Sequence, residues 1–344
     1  MFEHIAMWTG VDNPQPMVSR LKAAHVDIIM PYVSKQPDSY AASNRLIEEA
    51  HRHGIKVHGW FGDGMKVDAS MPAAISGLRQ VSADGDLLDL LCPANPAVVA
   101  CILAELERVL TECDYDGISL EDGYVFDFKR TFTIRPGTGY EPTDDRAREY
   151  SIIPGCYCAY CQEHAPIGKP EWGDWKRERL TNLIAAQAQL LRRQKPGMPF
   201  SAAARMPYNR SFYGPFKNEI SFYDGWKFCQ SYEAYSADWA GWLKQGLIDF
   251  ACPMSYFKSP RLVELQLQEC QHLIPTASND IWVGLTLGIP AESWPHDRSV
   301  INGAAEIAAL LNQLEKMGQK NCVLYGYDAL RDEHIPVLAN HRTQ

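Results

Sequence analysis

Short apolar runs alternate with amphipathic stretches along the whole chain, and that alternation narrows the fold more than any single motif. Eight runs read as strands: Ile5–Trp8, Ile28–Tyr32, Lys56–Phe61, Gly117–Glu121, Phe200–Arg205, Phe250–Met254, Trp282–Leu287 and Cys322–Tyr327. They are short, apolar and bounded by turn residues. Helical periodicity fills the spaces between them. Tyr40–His53 stops at Gly54, a residue suited to the left-handed turn that ends a helix. Pro96–Cys113 puts Val98, Ile102, Leu106, Val109 and Leu110 near a 3.6-residue period. Thr181–Gln194, Ala234–Gly246, Leu262–Leu273 and Ala304–Gly318 supply further helices. Strands separated by helices build a parallel sheet. Eight such units predict an α/β fold, a (β/α)8 TIM barrel occupying residues 1–344 as one domain. A doubly wound open sheet is the alternative, but no glycine-rich phosphate loop follows the first strand.

Two connections exceed the length of ordinary strand-to-helix loops. They cover 124–175 after strand four and 206–232 after strand five. Both are expected on the C-terminal face, where barrel enzymes build their sites.

Composition removes several classes of partner. With 46% hydrophobic and 22% charged residues the chain is globular, and a net charge of -9 argues against nucleic acid. No run reaches the about 18 apolar residues of a membrane span. Met1–Trp8 enters a strand with no basic region and apolar stretch before it, so a cytoplasmic protein is expected. Its ten cysteines then read mostly as buried thiols, as at Cys252 and Cys322. The expected partner is a carbohydrate, and the sequence leaves room for a homo-oligomer.

The chemistry concentrates at Asp114–Asp122, a turn, a buried strand and an acid pair. Side chains alternate along a strand. With Ile118 and Leu120 toward the helices, Gly117, Ser119 and Glu121 face the barrel interior. A glutamate there is poorly explained by packing. Glu121 is therefore the first candidate for catalysis, and Asp122 the second if the strand ends in a bulge. Neighbours in sequence do not face each other across a scissile bond, so a further carboxylate is expected from another strand end. Asp63, Asp328 and Glu292 are the candidates. The bland alternative pairs Glu121 with Arg205, at the end of strand five.

Aromatic residues crowd the same strand ends: Trp8, Tyr32, Trp60, Tyr256, Tyr325 and Tyr327, with Tyr124, Tyr208 and Trp294 in the loops that follow. Trp and Tyr combine an apolar face with a polar edge, which matches a sugar's C–H faces and hydroxyls. Arg205 and Tyr256 are expected to hold substrate hydroxyls. The alternative for each ring is ordinary packing.

Cys156, Cys158 and Cys161, with His164 three residues on, have the compact spacing of a zinc knuckle. The fourth ligand is open between His164 and a distant cysteine such as Cys101 or Cys113. Such a zinc would be structural, pinning the loop after strand four; three free thiols are the alternative. No His-x-His marks strand one, and no Gly-x-Ser-x-Gly elbow is present. Asp249, ahead of strand six, reads as structural.

Three segments carry a family resemblance: Leu91–Pro96, Tyr115–Asp122, and Asp238-Trp239 through Gly246–Tyr256. They resemble the family-10-like glycosyl hydrolase group of barrel proteins, over roughly residues 90–330. The group's strand-four pattern is similar to Asp-Gly-Ile-His-Leu-Asp followed by Tyr, and Glu121 stands where its last Asp falls. The resemblance implies a barrel glycosidase. Separately, Cys156–Cys161 resembles the zinc knuckle in the strand-four loop of family 42 β-galactosidases, which implies a further cysteine from elsewhere. The leading expectation is a glycoside hydrolase. A sugar or sugar-acid lyase or isomerase and a non-catalytic sugar-binding barrel are the alternatives.

Overall fold

A computed structural model describes residues 1–33, 37–62, 65–67, 73–126, 128–134, 148–205, 231–232, 235–275, 280–289 and 300–342. Eight strands run parallel: β1 His4–Thr9, β2 Ile28–Pro31, β3 Lys56–Phe61, β4 Gly117–Leu120, β5 Phe200–Ala204, β6 Phe250–Pro253, β7 Val283–Thr286 and β8 Asn321–Tyr325. Each pairs with its sequence neighbour, β1 pairs with β8, and the bridges Ala251–Ile281 and Met254–Gly284 bring β6 against β7. The sheet is a barrel, as the alternation of elements predicts.

Alternation along the strands divides the core into two layers. Ile5, Met7, Ile29, Val57, Ile118 and Leu120 pack outward among the helices. Ala6, Trp8, Ile28, Met30, Ala203, Phe250, Cys252, Trp282 and Val323 fill the interior. Ile118 and Leu120 thus take the helix side, and the phase of β4 puts Ser119 and Glu121 inward.

The helices are α1 Pro14–Ala23, α2 Pro37–Arg52, α3 Pro96–Glu112, α4 Trp172–Gln194, α5 Trp239–Lys244, α6 Pro260–Leu273, α7 Ala304–Lys316 and α8 His334–His341. Asn95 caps α3 by accepting from Ala97 N at 3.0 Å, with Pro96 opening the helix. Gly54 ends the turn after α2 at φ 70°. Three differences from the sequence reading stand out. α4 begins nine residues before Thr181, α5 is shorter than Ala234–Gly246, and α1 and α8 add two short, proline-bearing helices.

Three aspartates fasten the N-terminal rim. Asp27, Asp116 and Asp249 each precede an even-numbered strand and accept the backbone N–H of Ile5, Val57 and Phe200 at 2.9, 2.7 and 2.7 Å. Each returns its own N–H to the same residue's carbonyl. Asp249 therefore serves the barrel's stability end, as its position predicts.

The connection after β4 carries an antiparallel hairpin, Phe128–Ile134 with Arg148–Pro154, and a short helix Ala159–His164. The connection after β5 lies mostly outside the described residues. A third long connection, after β3, holds a second hairpin of Arg79–Val81 with Leu87–Leu91. The sequence reading did not single it out.

Candidate active site

Glu121 follows the last residue of β4, and its backbone N–H still donates to Phe61 O at 3.3 Å. Strand phase therefore carries its side chain to the C-terminal rim. There the carboxylate covers Gly62: a Cβ at that glycine would lie 2.9 Å from Glu121 Oε2 and 2.9 Å from Tyr32 Cε2. Gly123 approaches the same oxygen, at 3.1 Å from its own ideal Cβ. The acid thus depends on bare backbone on two sides.

Asp122 leaves the alternation as the chain turns. Its Oδ2 accepts from Arg205 Nε at 2.7 Å, and the same Nε reaches the Asp122 carbonyl at 3.3 Å. Arg205 continues the inward phase of Ser201 and Ala203 past the end of β5, and its guanidinium lies 4.1 Å from the Tyr235 ring centroid. The two side chains are 24% and 21% exposed, so their charges meet in a partly desolvated setting. Arg205, the alternative partner considered for Glu121, holds Asp122.

Rings line one side of the acids. Tyr32 meets Trp60 edge-on at 5.3 Å, Trp60 lies 6.2 Å from Trp8, Trp8 lies 6.3 Å from Tyr325, and Tyr325 stacks on Tyr256 at 5.4 Å. Burial pushes the Tyr256 hydroxyl well above its ordinary pKa; the charges of Tyr325, Asp122 and Glu121 add to the shift. Tyr325 is raised by burial and then by Glu121, Asp122 and Asp328. Both phenols remain protonated donors beside two carboxylates. The buried indole N–H groups of Trp8 and Trp60 have no hydrogen-bond partner among the described residues.

The remaining expected site residues divide. Asp63, Tyr208, Glu292 and Trp294 lie outside the described residues. Asp328 is exposed in a short turn, Tyr327–Ala329, and its charge reaches Tyr325. Tyr327 does not join the ring wall. Gly326, at φ 90°, breaks the strand before it, and Tyr327 packs on the outer, helix-facing core. Tyr124 is likewise buried in packing and accepts from Gln187 Nε2 at 3.1 Å.

A second cluster lies in the long loops. The sulfurs of Cys92, Cys156, Cys158 and Cys161 are all within 4.8 Å of one another, and Cys92 and Cys161 stand 3.5 Å apart. Tetrahedral zinc with Zn–S of about 2.3 Å sets its sulfurs about 3.8 Å apart, so the cluster is the right size. Backbone N–H groups of Val81 and Cys158 point at Cys156 Sγ from 3.3 and 3.4 Å. Four sulfurs with no carboxylate among them fit a closed structural site. The fourth sulfur is Cys92, at the end of the hairpin after β3. His164 is not in the group: its ring packs on Tyr160 at 4.4 Å, at the end of its own short helix. Neither Cys101 nor Cys113 belongs to it.

Known proteins place this architecture. The chain is 22% identical over 251 residues to glycosyl hydrolase DigH of Escherichia coli, a match covering 68% of this chain and 50% of that protein. It therefore spans about half the length of the curated relatives it matches. In structure it resembles the PgaB (BpsB) glycoside hydrolase domain of Bordetella bronchiseptica, with a TM-score of 0.67, 13% identity and full coverage of both chains. A chitinase from Chromobacterium violaceum follows the same fold with a TM-score of 0.55 and 10% identity, covering 99% of each chain. These likenesses establish the fold. The model of the family described as glycosyl hydrolase-like 10 matches residues 23–302, most of the chain, and the protein belongs to that family.

Proposed function

We propose that the chain hydrolyses a glycosidic bond at the C-terminal rim, with Glu121 as the carboxyl that transfers the proton. One observation carries this reading: an inward glutamate and an arginine-held aspartate share a barrel rim with stacked Trp and Tyr rings. Asp122 is held in place by Arg205, whose Nε donates to its Oδ2 at 2.7 Å. The fixed charge of Asp122 positions the cationic, oxocarbenium-like reacting centre. Glu121, which follows β4 in the inward phase, would reach the glycosidic oxygen from the rim. The Tyr256 and Tyr325 hydroxyls would donate to sugar oxygens.

Adjacent carboxylates cannot flank a bond from opposite sides. The nucleophile, or the base for water, then comes from another strand end or from the sugar's own substituent. Asp328 is the described carboxylate whose charge also reaches Tyr325. Structural neighbours described as chitinases put 2-acetamido glucans first among substrates to try.

The test is turnover on a panel of aryl glycosides and oligosaccharides. One class is expected to be cleaved, and Glu121→Gln to lower kcat by about a thousandfold while oligosaccharide binding persists. A carbohydrate-binding barrel without catalysis is the second reading, favoured by the Asp122–Arg205 pair. Binding without turnover on every member of the panel, unaltered by Glu121→Gln, would establish it and reject hydrolysis.

A further inference from the structure

We propose that Cys92, Cys156, Cys158 and Cys161 bind one zinc ion that clips the loop after β3 to the loop after β4, and that Lys176 is its fixed counter-charge. The first half rests on convergence. Cys92 stands 64 positions before Cys156 in sequence, yet its sulfur is 3.5 Å from that of Cys161. Three of the four cysteines are buried. Two backbone N–H groups already point at Cys156 Sγ, as donors do around metal-bound thiolates.

Hydrogen bonds also join these loops. Tyr157 N donates to Val81 O at 2.7 Å, and Ser82 bridges Gly155. Buried Gln80 donates to Leu91 O and to Val125 O, both at 3.0 Å. These bonds bring the hairpin, the knuckle and the chain just past Asp122 side by side. A metal at the centre would hold all three.

Lys176 carries the second half. It is 5% exposed, on α4, and has no carboxylate partner among the described residues. Its Nζ lies 4.8 Å from the Trp172 ring centroid and 6.0 Å from that of Phe126. Ring faces stabilise a cation but do not neutralise it. Trp172 in turn meets Tyr157, between Cys156 and Cys158, edge-on at 5.2 Å, which sets the ammonium beside the knuckle, and the charges of Cys156 and Cys161 favour its charged form. Zinc binding releases the four thiol protons to solvent and leaves a site of net charge two minus. A buried ammonium beside such a site offsets part of that charge, and the site in turn explains a buried lysine.

The full chain, purified without chelator, should contain one zinc per molecule by elemental analysis. Cobalt exchanged into it should show thiolate charge-transfer bands in the near ultraviolet and intense tetrahedral bands in the visible. All ten cysteines should react as free thiols after denaturation with chelator. Iron at the same stoichiometry, no metal, or only eight reactive thiols would each overturn the zinc assignment. Cys92→Ser should lower zinc content, and if it misfolds, the cobalt spectrum of the unaltered chain still decides. For Lys176, the readout is zinc transfer to a competing chelator. Lys176→Met should release zinc about tenfold faster, with Lys176→Arg close to the parent. A Lys176→Met rate equal to the parent's would refute the counter-charge role and leave the metal site standing.

Discussion

Arg205 Nε lies 2.7 Å from Asp122 Oδ2, so the end of β5 and the turn after β4 are joined by a charge-assisted hydrogen bond at the barrel rim. The same guanidinium rests on the Tyr235 ring, whose carbonyl accepts from Phe126 N at 2.9 Å. One arginine thereby positions an acid and connects it to the loop that follows. Arg205→Met should cost about 1–2 kcal/mol of stability, since both partners keep some contact with water. On the proposed hydrolysis it should lower kcat more than it raises KM. Arg205→Lys should recover little, because an ammonium replaces neither the stacked plane nor the Nε geometry. Denaturant unfolding and steady-state kinetics on the three proteins would check this.

Gly62 is the floor beneath Glu121. A Cβ there meets Glu121 Oε2 and Tyr32 Cε2, both at 2.9 Å. The carboxylate can swing aside, but Glu121 Cβ at 3.1 Å and the packed Tyr32 ring yield less readily, so Gly62→Ala should cost about 1–3 kcal/mol of stability. The displaced carboxylate should lower kcat about tenfold or more, as a misplaced catalytic group does. Unchanged kinetics in a folded Gly62→Ala protein would argue that the position of Glu121 is not critical.

The barrel is readable in the sequence because each strand is a buried apolar run with distinct ends. Strand phase also separates Ile118 and Leu120 from Ser119 and Glu121. Legibility fails where the chain leaves regular structure. Asp122 is aimed by the turn after β4, which alternation does not describe. Tyr327 keeps the phase of Tyr325 in sequence, but the turn at Gly326 sends it to the outer layer. Cys92 belongs to Cys156–Cys161 only through a loop contact, and no local pattern announces a partner 64 positions away. Pro14 and Pro16 obscure α1, although a proline in the first turn is compatible with a helix.

Gly326 decides where β8 stops. Its φ is 90°, and a Cβ there would lie 2.6 Å from the Gly288 carbonyl oxygen. Here the obstacle is backbone, which cannot swing aside. Gly326→Ala should destabilise the fold by about 2–4 kcal/mol, from left-handed strain plus the forced shift. Because Tyr325 is the preceding residue, its stack on Tyr256 should loosen as well. Thermal unfolding gives the first effect and near-ultraviolet circular dichroism the second.

His58 makes the barrel interior sensitive to acid. Its side chain faces inward against Gly117, where a Cβ would lie 2.7 Å from the imidazole, and 6.2 Å from the Phe250 ring. Nδ1 has no hydrogen-bond partner among the described residues. Burial lowers its pKa from 6.5 to about 4, against a smaller opposing pull from Asp116. The unfolded chain therefore binds this proton more readily than the folded one. Stability should be fully present above pH 6.5 and fall as the pH drops toward about 4. At 1.36 kcal/mol per unit, the loss across that window is about 3 kcal/mol. His58→Gln removes the titration, so its unfolding free energy should decline less between pH 7 and about 4 than that of the parent. Parallel slopes for the two proteins in denaturant melts across that range would show that His58 does not carry the effect.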